Sequence, residues 1–428
     1  MKKMKIYRDS LAEMKKVVAN LTEQTTDLEV ERRVAEIIDA VKVRKDEALK
    51  EYEKKFDNLD IENFEISSAE INEAFRNLDP KIKEALFLAK KNIVSYHEFE
   101  KEQGFIDTKT PGIIRGQKVT PLEKVGIYVP GGTAAYPSTI LMTALPAKIA
   151  GVDQVIMVTP PQKGGVNQAV LAAAKIAGVD AIYQVGGAQA IAALAYGTES
   201  IPAVNKIVGP GNIYVATAKK QVFGKVAIDM VAGPSEIGIL ADKNANAKEL
   251  AADLLSQAEH DVRARAILIT DDEQIAQKVS DEVTKQLEDL PRKSIATQSI
   301  NERGFIAIMK SIPEMFELMN VVAPEHLEVQ LEDAMKYLSL IRNAGSVFLG
   351  RYASEPLGDY VAGPNHVLPT GGTAKFSSPL GVYDFIKKTS FINFSKEALN
   401  NDMNAITSLA REEGLEAHAR AIEVRFNN

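Results

Sequence analysis

Hydrophobic residues in the first quarter of the chain recur at helical spacing. Apolar side chains return every three or four positions in residues 30–38 and again in residues 82–93. This is the period of one buried face of an α-helix. The pattern predicts a helical N-terminal region over residues 1–105.

A run of mixed charge separates these two segments. It begins at Arg44 and continues through Glu53 to Lys55. Interspersed charges of both signs are typical of a helix face in water. We therefore expect this stretch to have a structural role and no chemical one.

From about residue 120 the pattern changes to short apolar runs that alternate with alanine-rich helical stretches. Parallel strands joined by crossover helices produce this alternation, because such strands are buried on both faces. The predicted strands are residues 125–129, 155–158, 181–185, 237–240, 266–269, 305–309 and 346–349. The predicted helices are residues 138–149, 167–177, 188–195, 247–260 and 273–287, others around Glu314 and Asp333, and a charged amphipathic stretch over 395–426.

The order of these elements predicts an α/β fold. We expect two Rossmann-like α/β domains, incomplete and atypical as nucleotide-binding folds, with a helical N-terminal region and a small helical C-terminal arm. The predicted limits are 1–105 for the helical region, 106–127 and 237–381 for a discontinuous first α/β domain, 128–236 for a second one inserted into it, and 382–428 for the arm. The pattern leaves open whether the arm packs on its own domain or reaches a neighbouring subunit.

Composition removes several functional classes. With 51 Lys and Arg against 58 Asp and Glu, the chain has a net charge of −7, which argues against general nucleic-acid binding. It contains no cysteine, so disulfides, thiolate zinc sites, iron–sulfur clusters and a cysteine nucleophile are excluded. No apolar run follows the first charged residues, and no run of about 18 apolar residues exists to span a bilayer. We expect a cytoplasmic protein without a membrane or nucleic-acid partner.

Four predicted turns have similar sequences that combine glycine with proline. They are Val129-Pro130-Gly131-Gly132, Val208-Gly209-Pro210-Gly211-Asn212, Val231-Ala232-Gly233-Pro234-Ser235 and Val361-Ala362-Gly363-Pro364-Asn365. Glycine permits close approach of the backbone, so four such turns at strand ends favour a shared ligand crevice, although Gly-Pro also makes plain turns. Neither a Gly-x-Gly-x-x-Gly fingerprint nor a P-loop occurs, so any nucleotide site must be atypical.

Five histidines are available for acid–base or metal chemistry. Gln257 and His260 are three residues apart on a predicted helix, so both side chains project from one face. Either the two side chains hold a metal ion, or His260 caps the end of the helix. Glu325 and His326 are adjacent after Pro324, on a segment expected to be irregular. They either bracket a substrate as two bases or form a chance surface pair.

Two further acid–histidine pairs lie towards the C-terminus. Asp359 and His366 fall within a stretch rich in glycine and proline, whereas Glu413 and His418 lie on the predicted final helix. Their five-residue spacing puts Glu413 and His418 on somewhat different faces of that helix, which leaves open that His418 is a plain surface residue.

Taken together, these segments resemble the L-histidinol dehydrogenase family, nearly from end to end. The motifs that carry the resemblance are Val129-Pro130-Gly131-Gly132, Gly186-Gly187-Ala188-Gln189-Ala190-Ile191, Gly209-Pro210-Gly211-Asn212, Ala232-Gly233-Pro234-Ser235-Glu236, Gln257-Ala258-Glu259-His260-Asp261, Ala323-Pro324-Glu325-His326-Leu327 and Gly363-Pro364-Asn365-His366-Val367-Leu368-Pro369. So many long motifs in one order do not arise by chance. The stretch Glu413-Gly414-Leu415-Glu416-Ala417-His418-Ala419 also fits.

The resemblance implies a reaction and its cofactors. The family oxidises L-histidinol to L-histidine with two NAD⁺ through L-histidinaldehyde, in the last steps of histidine biosynthesis, and the resemblance implies one zinc ion per active site. It implies Gln257, His260, Asp359 and His418 as the zinc ligands. It also implies that His418 comes from the partner subunit of a homodimer, which would explain a long C-terminal arm.

The resemblance also assigns the other site residues. Glu325 and His326 match the catalytic pair, and Tyr128, Gln189 and Asn212 match NAD contacts. The positions that match substrate contacts are Ser235, Gln257, His260, His326, Asp359, His366, Glu413 and His418.

The absence of cysteine bears on the expected mechanism. Oxidation of an aldehyde by NAD⁺ commonly passes through a cysteine thiohemiacetal, which this chain cannot form. Water must attack instead. We expect Glu325 to activate that water, and His326 to take the proton of the alcohol and later that of the gem-diol.

Other interpretations stay open. A related zinc- and NAD-dependent dehydrogenase could act on another small alcohol, such as a sulfonated diol. A zinc hydrolase could use the same ligands with Glu325 as base for a metal-bound water and would need no NAD⁺. If the chain were a binding protein without catalytic activity, the presence of the motif residues would be unexplained.

Overall fold

The computed structural model of the protein describes residues 3–22, 27–131, 136–231 and 233–427. Gly132 and Ala232, which belong to two of the glycine-containing turns, lie outside the described residues. Among the described residues, no helix combines the length and the hydropathy that crossing a bilayer demands.

Helices and strands alternate through most of the chain. The strands are β1 (Lys5–Tyr7), β2 (Phe105–Asp107), β3 (Ile113–Pro121), β4 (Lys124–Tyr128), β5 (Gln154–Thr159), β6 (Ala181–Gln184), β7 (Lys206–Val208), β8 (Ala227–Ile228), β9 (Glu236–Ala241), β10 (Arg265–Thr270), β11 (Phe305–Ile308), β12 (His326–Gln330), β13 (Ser346–Leu349) and β14 (Ile386–Phe394). The α-helices are α1 (Leu11–Thr22), α2 (Leu28–Phe56), α3 (Ser68–Asn77), α4 (Pro80–His97), α5 (Pro137–Ala150), α6 (Gln168–Ala177), α7 (Gly187–Tyr196), α8 (Ile213–Val222), α9 (Ala247–Ala258), α10 (Glu273–Gln286), α11 (Lys293–Glu302), α12 (Ile312–Val322), α13 (Glu355–Tyr360), α14 (Lys396–Glu412) and α15 (Glu416–Glu423). Short 3-10 helices cover Glu98–Glu100, Leu287–Asp289, Ala334–Leu340, Thr373–Lys375 and Val382–Phe385.

The chain forms two compact units. The first comprises Met1–Glu100 and Glu123–Phe385 and contains two parallel sheets, as far as its residues are described. The second comprises Lys101–Leu122 and Ile386–Asn428 and contains the antiparallel sheet β14-β3-β2 with helices α14 and α15. The parallel sheets and their crossover helices confirm the predicted α/β class. The domain limits given above stay a prediction.

One parallel sheet of the first unit has the strand order β6-β5-β4-β7-β8 within the described ranges. Its central strand β4 buries Val125 and Ile127 completely, as expected of a strand covered by helices on both faces. Helix α2 packs against α7 and α8, so the N-terminal helices complete the core of this sheet. Because every pair is parallel, the carboxyl ends of the strands lie along one edge.

The other parallel sheet has the order β1-β11-β10-β9-β12-β13 in the described part of the chain. Its strands β9 and β10 are buried at every position. Strand β1 lies in the region predicted to be helical and adds an edge strand beside β11. The sequence analysis missed it because three residues are too few to show a period.

The irregular segment predicted after Pro324 is short. It ends at Glu325, and β12 begins at His326, which pairs with Ile237 of β9 and Ser346 of β13. Strand β12 was missed because its buried positions include Glu328, which interrupts the apolar run.

The second unit also contains strands that the sequence analysis missed. Strand β14 pairs with β3 along its whole length, ahead of the two helices of the predicted arm. Eight of its nine residues are exposed, so it lacks the alternation of apolar and polar residues that reveals a half-buried strand. The helix predicted near Asp333 is the 3-10 segment Ala334–Leu340 instead.

A buried ion pair fixes the turn after β7. Lys219 of α8 pairs with Asp229, and both side chains are almost completely buried. The ammonium group of Lys219 also donates to the carbonyl oxygen of Gly209 (2.9 Å), and the carboxylate of Asp229 accepts from the Gly209 N–H (2.7 Å). Gly209 has a φ of 110°, and a Cβ there would lie 2.3 Å from the carbonyl oxygen of Tyr128. The turn therefore requires glycine at this position.

We expect Lys219→Met to lower the free energy of unfolding by about 3–5 kcal/mol, because it leaves Asp229 buried without a partner. Lys220→Met is the matched control: the neighbouring Lys220 pairs with Glu31 on the surface, and its loss should change the free energy by less than about 1 kcal/mol. Urea-induced unfolding followed by far-UV circular dichroism measures both. Equal losses in the two variants would contradict the role given to the buried pair.

Candidate active site

A cavity of about 780 Å³ opens along the carboxyl edge of the sheet around β4. Ligands of open α/β sheets bind at this edge. Tyr128, Gln189 and Asn212, the three predicted NAD contacts, all line the cavity. The structure therefore brings these three residues together.

A hydrogen bond between a side chain and the backbone links the end of β4 to the start of α7 at the cavity. Tyr128 is the last residue of β4, and its hydroxyl accepts a hydrogen bond from the N–H of Gly187 (3.2 Å). Gly187 begins α7 with a φ of 60°. Burial raises the pKa of Tyr128 to about 12, so the phenol stays neutral and presents no negative charge to a ligand.

Asn212 shapes the opposite wall. Its side-chain oxygen caps α8 by accepting from the N–H groups of Tyr214 (3.0 Å) and Val215 (3.1 Å). The amino end of a helix carries a partial positive charge and attracts anions. The predicted contact Asn212 thus orders a wall of the cavity that suits a phosphate group.

Gln189 is fixed by a residue of the N-terminal region. Its side-chain N–H donates to Glu53 of α2 (2.8 Å), and its carbonyl oxygen Oε1 is buried without a partner. Glu53 is completely buried. The prediction that residues 44–55 form a solvated face is therefore wrong at Glu53, and Arg32, Arg33 and Lys55 of the same helix line the cavity.

The predicted catalytic pair lies at the amino ends of β9 and β12. The carboxylate of Glu325 accepts from the N–H of Glu236 (3.0 Å), and His326 Nδ1 donates to the carbonyl oxygen of the same residue (3.2 Å). Both side chains are buried, 3.7 Å apart between Glu325 Oε2 and His326 Nδ1. Among the residues that the structure describes, His326 Nε2 has no hydrogen-bond partner. The ring is thus oriented by the backbone, with Nε2 left for chemistry.

Charges around this pair shift both pKa values. Burial raises the pKa of Glu325 to about 7, against the opposing effect of His326. Burial by itself lowers the pKa of His326, but the carboxylates of Glu325, Asp359 and Glu355 outweigh it and raise the pKa to about 9. A buried acid and base with displaced pKa values are typical of catalytic sites.

Asp359 and His366 join the same cluster. Asp359 Oδ1 lies 3.7 Å from His326 Nε2 and 3.9 Å from His366 Nδ1, which also donates to the Asp359 carbonyl oxygen (2.9 Å). The other ring nitrogen of His366 lies 3.3 Å from the Thr139 hydroxyl on α5. Burial lowers the pKa of His366. Burial raises the pKa of Asp359, but the nearby imidazoles of His326 and His366 outweigh it and lower the pKa.

Glu355 completes a group that could hold a metal ion. Ligand atoms of His326, Glu355 and Asp359 all lie within 4.8 Å of one another. Glu355 also accepts from the Ser256 hydroxyl (3.1 Å), and its backbone N–H donates to Glu328 (2.8 Å). Ser256 precedes Gln257 on α9, so this contact ties α9 to α13.

The two predicted ligands on α9 differ in their surroundings. Gln257 is buried, and its carbonyl oxygen Oε1 has no partner. His260 lies two residues beyond the end of α9 and is exposed, so it is not on the helix as predicted. The surrounding protein still lowers the pKa of His260, although the charge of Asp359 acts on it in the opposite direction.

The remaining predicted residues lie at element ends. Ser235 is half-buried directly before β9. Glu413 and His418 are exposed and belong to the second unit. They do not share one helix as predicted: Glu413 is the C-cap residue directly after α14 and His418 lies on α15, because Gly414 takes a φ of 77° between them.

Sequence reasoning missed three residues of these sites. Glu355 had a readable signal, because it lies four positions before Asp359 and so shares a helix face with it. Ser256, which directly precedes the predicted ligand Gln257, had no such signal in the sequence. Glu53 was hidden within a charged run, in which Glu51, Lys54 and Lys55 are exposed.

Comparisons with known proteins agree on one family. The family model described as histidinol dehydrogenase matches residues 20–426. A histidinol dehydrogenase of Lactiplantibacillus plantarum is 69% identical over 424 residues, covering 99% of each chain, and one of Listeria monocytogenes serotype 4b is 58% identical over 423 residues, also covering 99% of each. The crystal structure of histidinol dehydrogenase from Elizabethkingia anophelis matches with a TM-score of 0.93 and 40% identity, over 99% of this chain and 98% of that one.

We expect Glu355→Gln to weaken binding of added Zn²⁺ by about 10–100-fold, because it removes one of the three carboxyl groups beside His326 while keeping the shape of the side chain. Competition with a chromophoric chelator measures the affinity. Glu302→Gln, which changes an exposed carboxylate on α11, is the control and should bind zinc as the unchanged protein does. An unaltered affinity in Glu355→Gln would show that Glu355 does not support the metal.

Proposed function

The chain belongs to the histidinol dehydrogenase family and is an NAD-dependent oxidoreductase, and we propose that it oxidises L-histidinol to L-histidine in two successive two-electron steps. The observation that carries the proposal is the buried cluster of Glu325, His326 and Asp359. This cluster brings two bases, Glu325 and His326, together with an anionic metal ligand, Asp359. Oxidation of an alcohol followed by hydration of the aldehyde requires such bases at one place.

The donor set suits a zinc ion. Among the described residues, the carbonyl oxygen of Gln257 and His326 Nε2 are both buried without a hydrogen-bond partner. Asp359 lies beside His326 and acts on the pKa of His260 through its charge. We propose Gln257, His260 and Asp359 as ligands, completed by His418 of the partner subunit. A zinc ion held there supplies a redox-inert centre that orients the imidazole and amino nitrogens of L-histidinol.

The cavity at the carboxyl edge suits a dinucleotide. Tyr128, Gln189 and Asn212 are its proposed contacts, and the unpartnered carbonyl oxygen of Gln189 is an acceptor for a ligand donor. NAD⁺, when bound, accepts one hydride in each of the two oxidations.

The orientation of His326 determines where the protons go. Because Nδ1 donates to the Glu236 carbonyl oxygen, Nε2 is the atom that takes the hydroxyl proton as the alcohol carbon loses hydride. Glu325 then takes a proton from water as the oxygen adds to the aldehyde. His326 gives its first proton to the former aldehyde oxygen, which completes the gem-diol. His326 then takes a proton from the gem-diol as that carbon loses hydride to NAD⁺, which leaves the carboxylic acid.

The substrate contacts are distributed over several segments. We propose Ser235, His366 and Glu413 as contacts of L-histidinol besides the metal ligands and His326. Ser235 directly precedes Glu236, and His366 contacts Asp359, so both are tied to the catalytic cluster. Glu413 belongs to the second unit, like His418.

A homodimer would supply the partner subunit. The second unit exposes large apolar side chains, among them Ile106 at 69% and Ile392 at 75%. Exposed apolar patches of this kind mark interaction surfaces. This exposure supports a homodimer in which the arm of one subunit completes the site of the other.

We expect two NADH for each L-histidinol consumed at saturating NAD⁺. Removal of metal with a chelator should abolish turnover, and added Zn²⁺ should restore it. Absorbance of NADH against substrate consumed measures the ratio. NADH from another small alcohol but none from L-histidinol would assign a different substrate. No NADH from any alcohol would contradict the proposed reaction.

We expect Glu325→Gln to slow oxidation of L-histidinaldehyde by about 10²–10⁴-fold more than oxidation of L-histidinol, because an amide cannot take a proton from water. Single-turnover measurements of the two half-reactions test this, and the alcohol step of the same variant is the internal control. Equal losses in both steps would refute the role of Glu325.

A further inference from the structure

Glu328 is a buried carboxyl group that the proposed mechanism does not use. It is the third residue of β12, and none of its surface is exposed. Its oxygen Oε1 accepts from the backbone N–H of Glu355 (2.8 Å), and Oε2 accepts from the side chain of Gln330 (3.1 Å). The first of these hydrogen bonds joins the middle of β12 to the first residue of α13.

The start of α13 depends on this residue outside the helix. The first N–H groups of a helix have no partner within it. Ser354 directly precedes α13, but its side chain makes no capping hydrogen bond. Glu355 is buried, and a buried N–H without a partner is costly. Glu328 therefore supplies the acceptor that Ser354 does not.

Glu328 and His326 lie on the same face of the sheet, because side chains two residues apart in a strand point to one side. Their partners in β9, Ile239 and Ile237, belong to a core cluster with residues of α9, α10 and α11. Val329, the residue after Glu328, belongs to the cluster on the opposite face, with residues of α1 and α12. Helix α13 thus meets Glu328 and His326 from one side of the sheet.

The spacing along α13 matches the spacing along β12. Glu355 and Asp359 are four residues apart, which is about 6 Å along a helix. His326 and Glu328 are two residues apart, which is about 6.6 Å along a strand. The start of α13 is held at Glu328, and one turn later Asp359 Oδ1 lies 3.7 Å from His326 Nε2. The bond at Glu328 therefore controls where Asp359 lies relative to His326.

Close packing lets α13 transmit this constraint. A Cβ at Gly358 of α13 would lie 2.7 Å from the ring of Phe348. Phe348 is the partner of Glu328 in the pairing of β12 with β13. The helix therefore rests directly on these strands, and a displacement of its first residue would also move Asp359.

We propose that Glu328 is a positioning residue of the metal site: by accepting from the N–H of Glu355, it holds α13 where Asp359 is available to the metal beside His326. The proposal rests on the proposed function, in which Asp359 is a zinc ligand. Glu328 itself acts only through α13. Both the ionised and the neutral form of a carboxyl group offer an acceptor to this N–H, so the role does not require one protonation state.

Competition for added Zn²⁺ between the full-length protein and a chromophoric chelator tests the proposal. Glu328→Met keeps the length of the side chain but removes the acceptor, so the affinity for Zn²⁺ should fall about 10–100-fold. Glu328→Gln keeps a carbonyl oxygen for the N–H of Glu355, and Gln330 can turn its own carbonyl oxygen towards the new NH₂ group. The affinity of Glu328→Gln should therefore stay close to that of the unchanged protein. Unaltered affinity in Glu328→Met, or an equal loss in both variants, would overturn the proposal.

Val329→Ala is the control that separates positioning from general stability. Val329 is as fully buried as Glu328 but packs on the opposite face of β12. Its truncation leaves a cavity in the core, so urea-induced unfolding should show a lower free energy of unfolding. Its affinity for Zn²⁺ should not change. A loss of Zn²⁺ affinity as large as that of Glu328→Met would assign the effect to stability and overturn the positioning role.

A double-mutant cycle tests whether Glu328 acts through α13. Glu328→Met and Asp359→Asn should each weaken Zn²⁺ binding, and the loss in the double variant should be smaller than the sum of the two free-energy losses. Additive losses would overturn the proposal. If Glu328→Met does not fold, Glu328→Asp takes its place, because it draws the acceptor back by one methylene group. Unaltered affinity in Glu328→Asp would then contradict the proposal.

Failure of the proposed function gives a different result. If the unchanged protein binds no Zn²⁺, the metal site and the role of Glu328 are overturned together. If the unchanged protein and Glu328→Met bind Zn²⁺ equally well, only the role of Glu328 is overturned.

Discussion

The parallel register of β9 and β12 is the constraint on which the proposed catalytic cluster depends. Both Glu325 and His326 are held by the backbone of one residue, Glu236, at the start of the neighbouring strand. A slip of one residue would turn every side chain of β12 to the other face of the sheet. The fully buried Ile237 and Ile239 of β9 resist such a slip. The apolar core and the chemistry are thus fixed by the same pairing.

Buried polar groups in this protein fall into two kinds. Some are fully compensated and structural, such as the ion pair of Lys219 and Asp229. Others keep an unpartnered atom, and within the described residues these include Gln189, Gln257 and His326. An unsatisfied buried atom calls for a specific explanation in a native structure. These three belong to residues that we propose for nucleotide contact, metal binding and proton transfer, which gives their unpartnered atoms a ligand to bind.

The sequence predicted those helices and strands in which apolar residues follow a regular pattern. Strands such as β4 and β10 are continuous apolar runs, and the motif residues around His326 are dense enough to reveal the family. Strand β14 escaped because it is exposed along its length. Glu53 escaped because burial of a carboxyl group depends on a partner more than 130 positions away, which no local pattern records. The sequence alone does not show which distant residue compensates a buried carboxyl group.

The two parallel sheets present opposite edges to their sites. The proposed nucleotide cavity lies at the carboxyl ends of its strands, whereas Glu325 and His326 lie at the amino ends of theirs. The carboxyl edge of the second sheet, where β9 ends at Ala241 and β12 at Gln330, therefore carries none of the assigned site residues. Because the loops at that edge hold none of the proposed site residues, insertions there should leave the proposed active site unchanged.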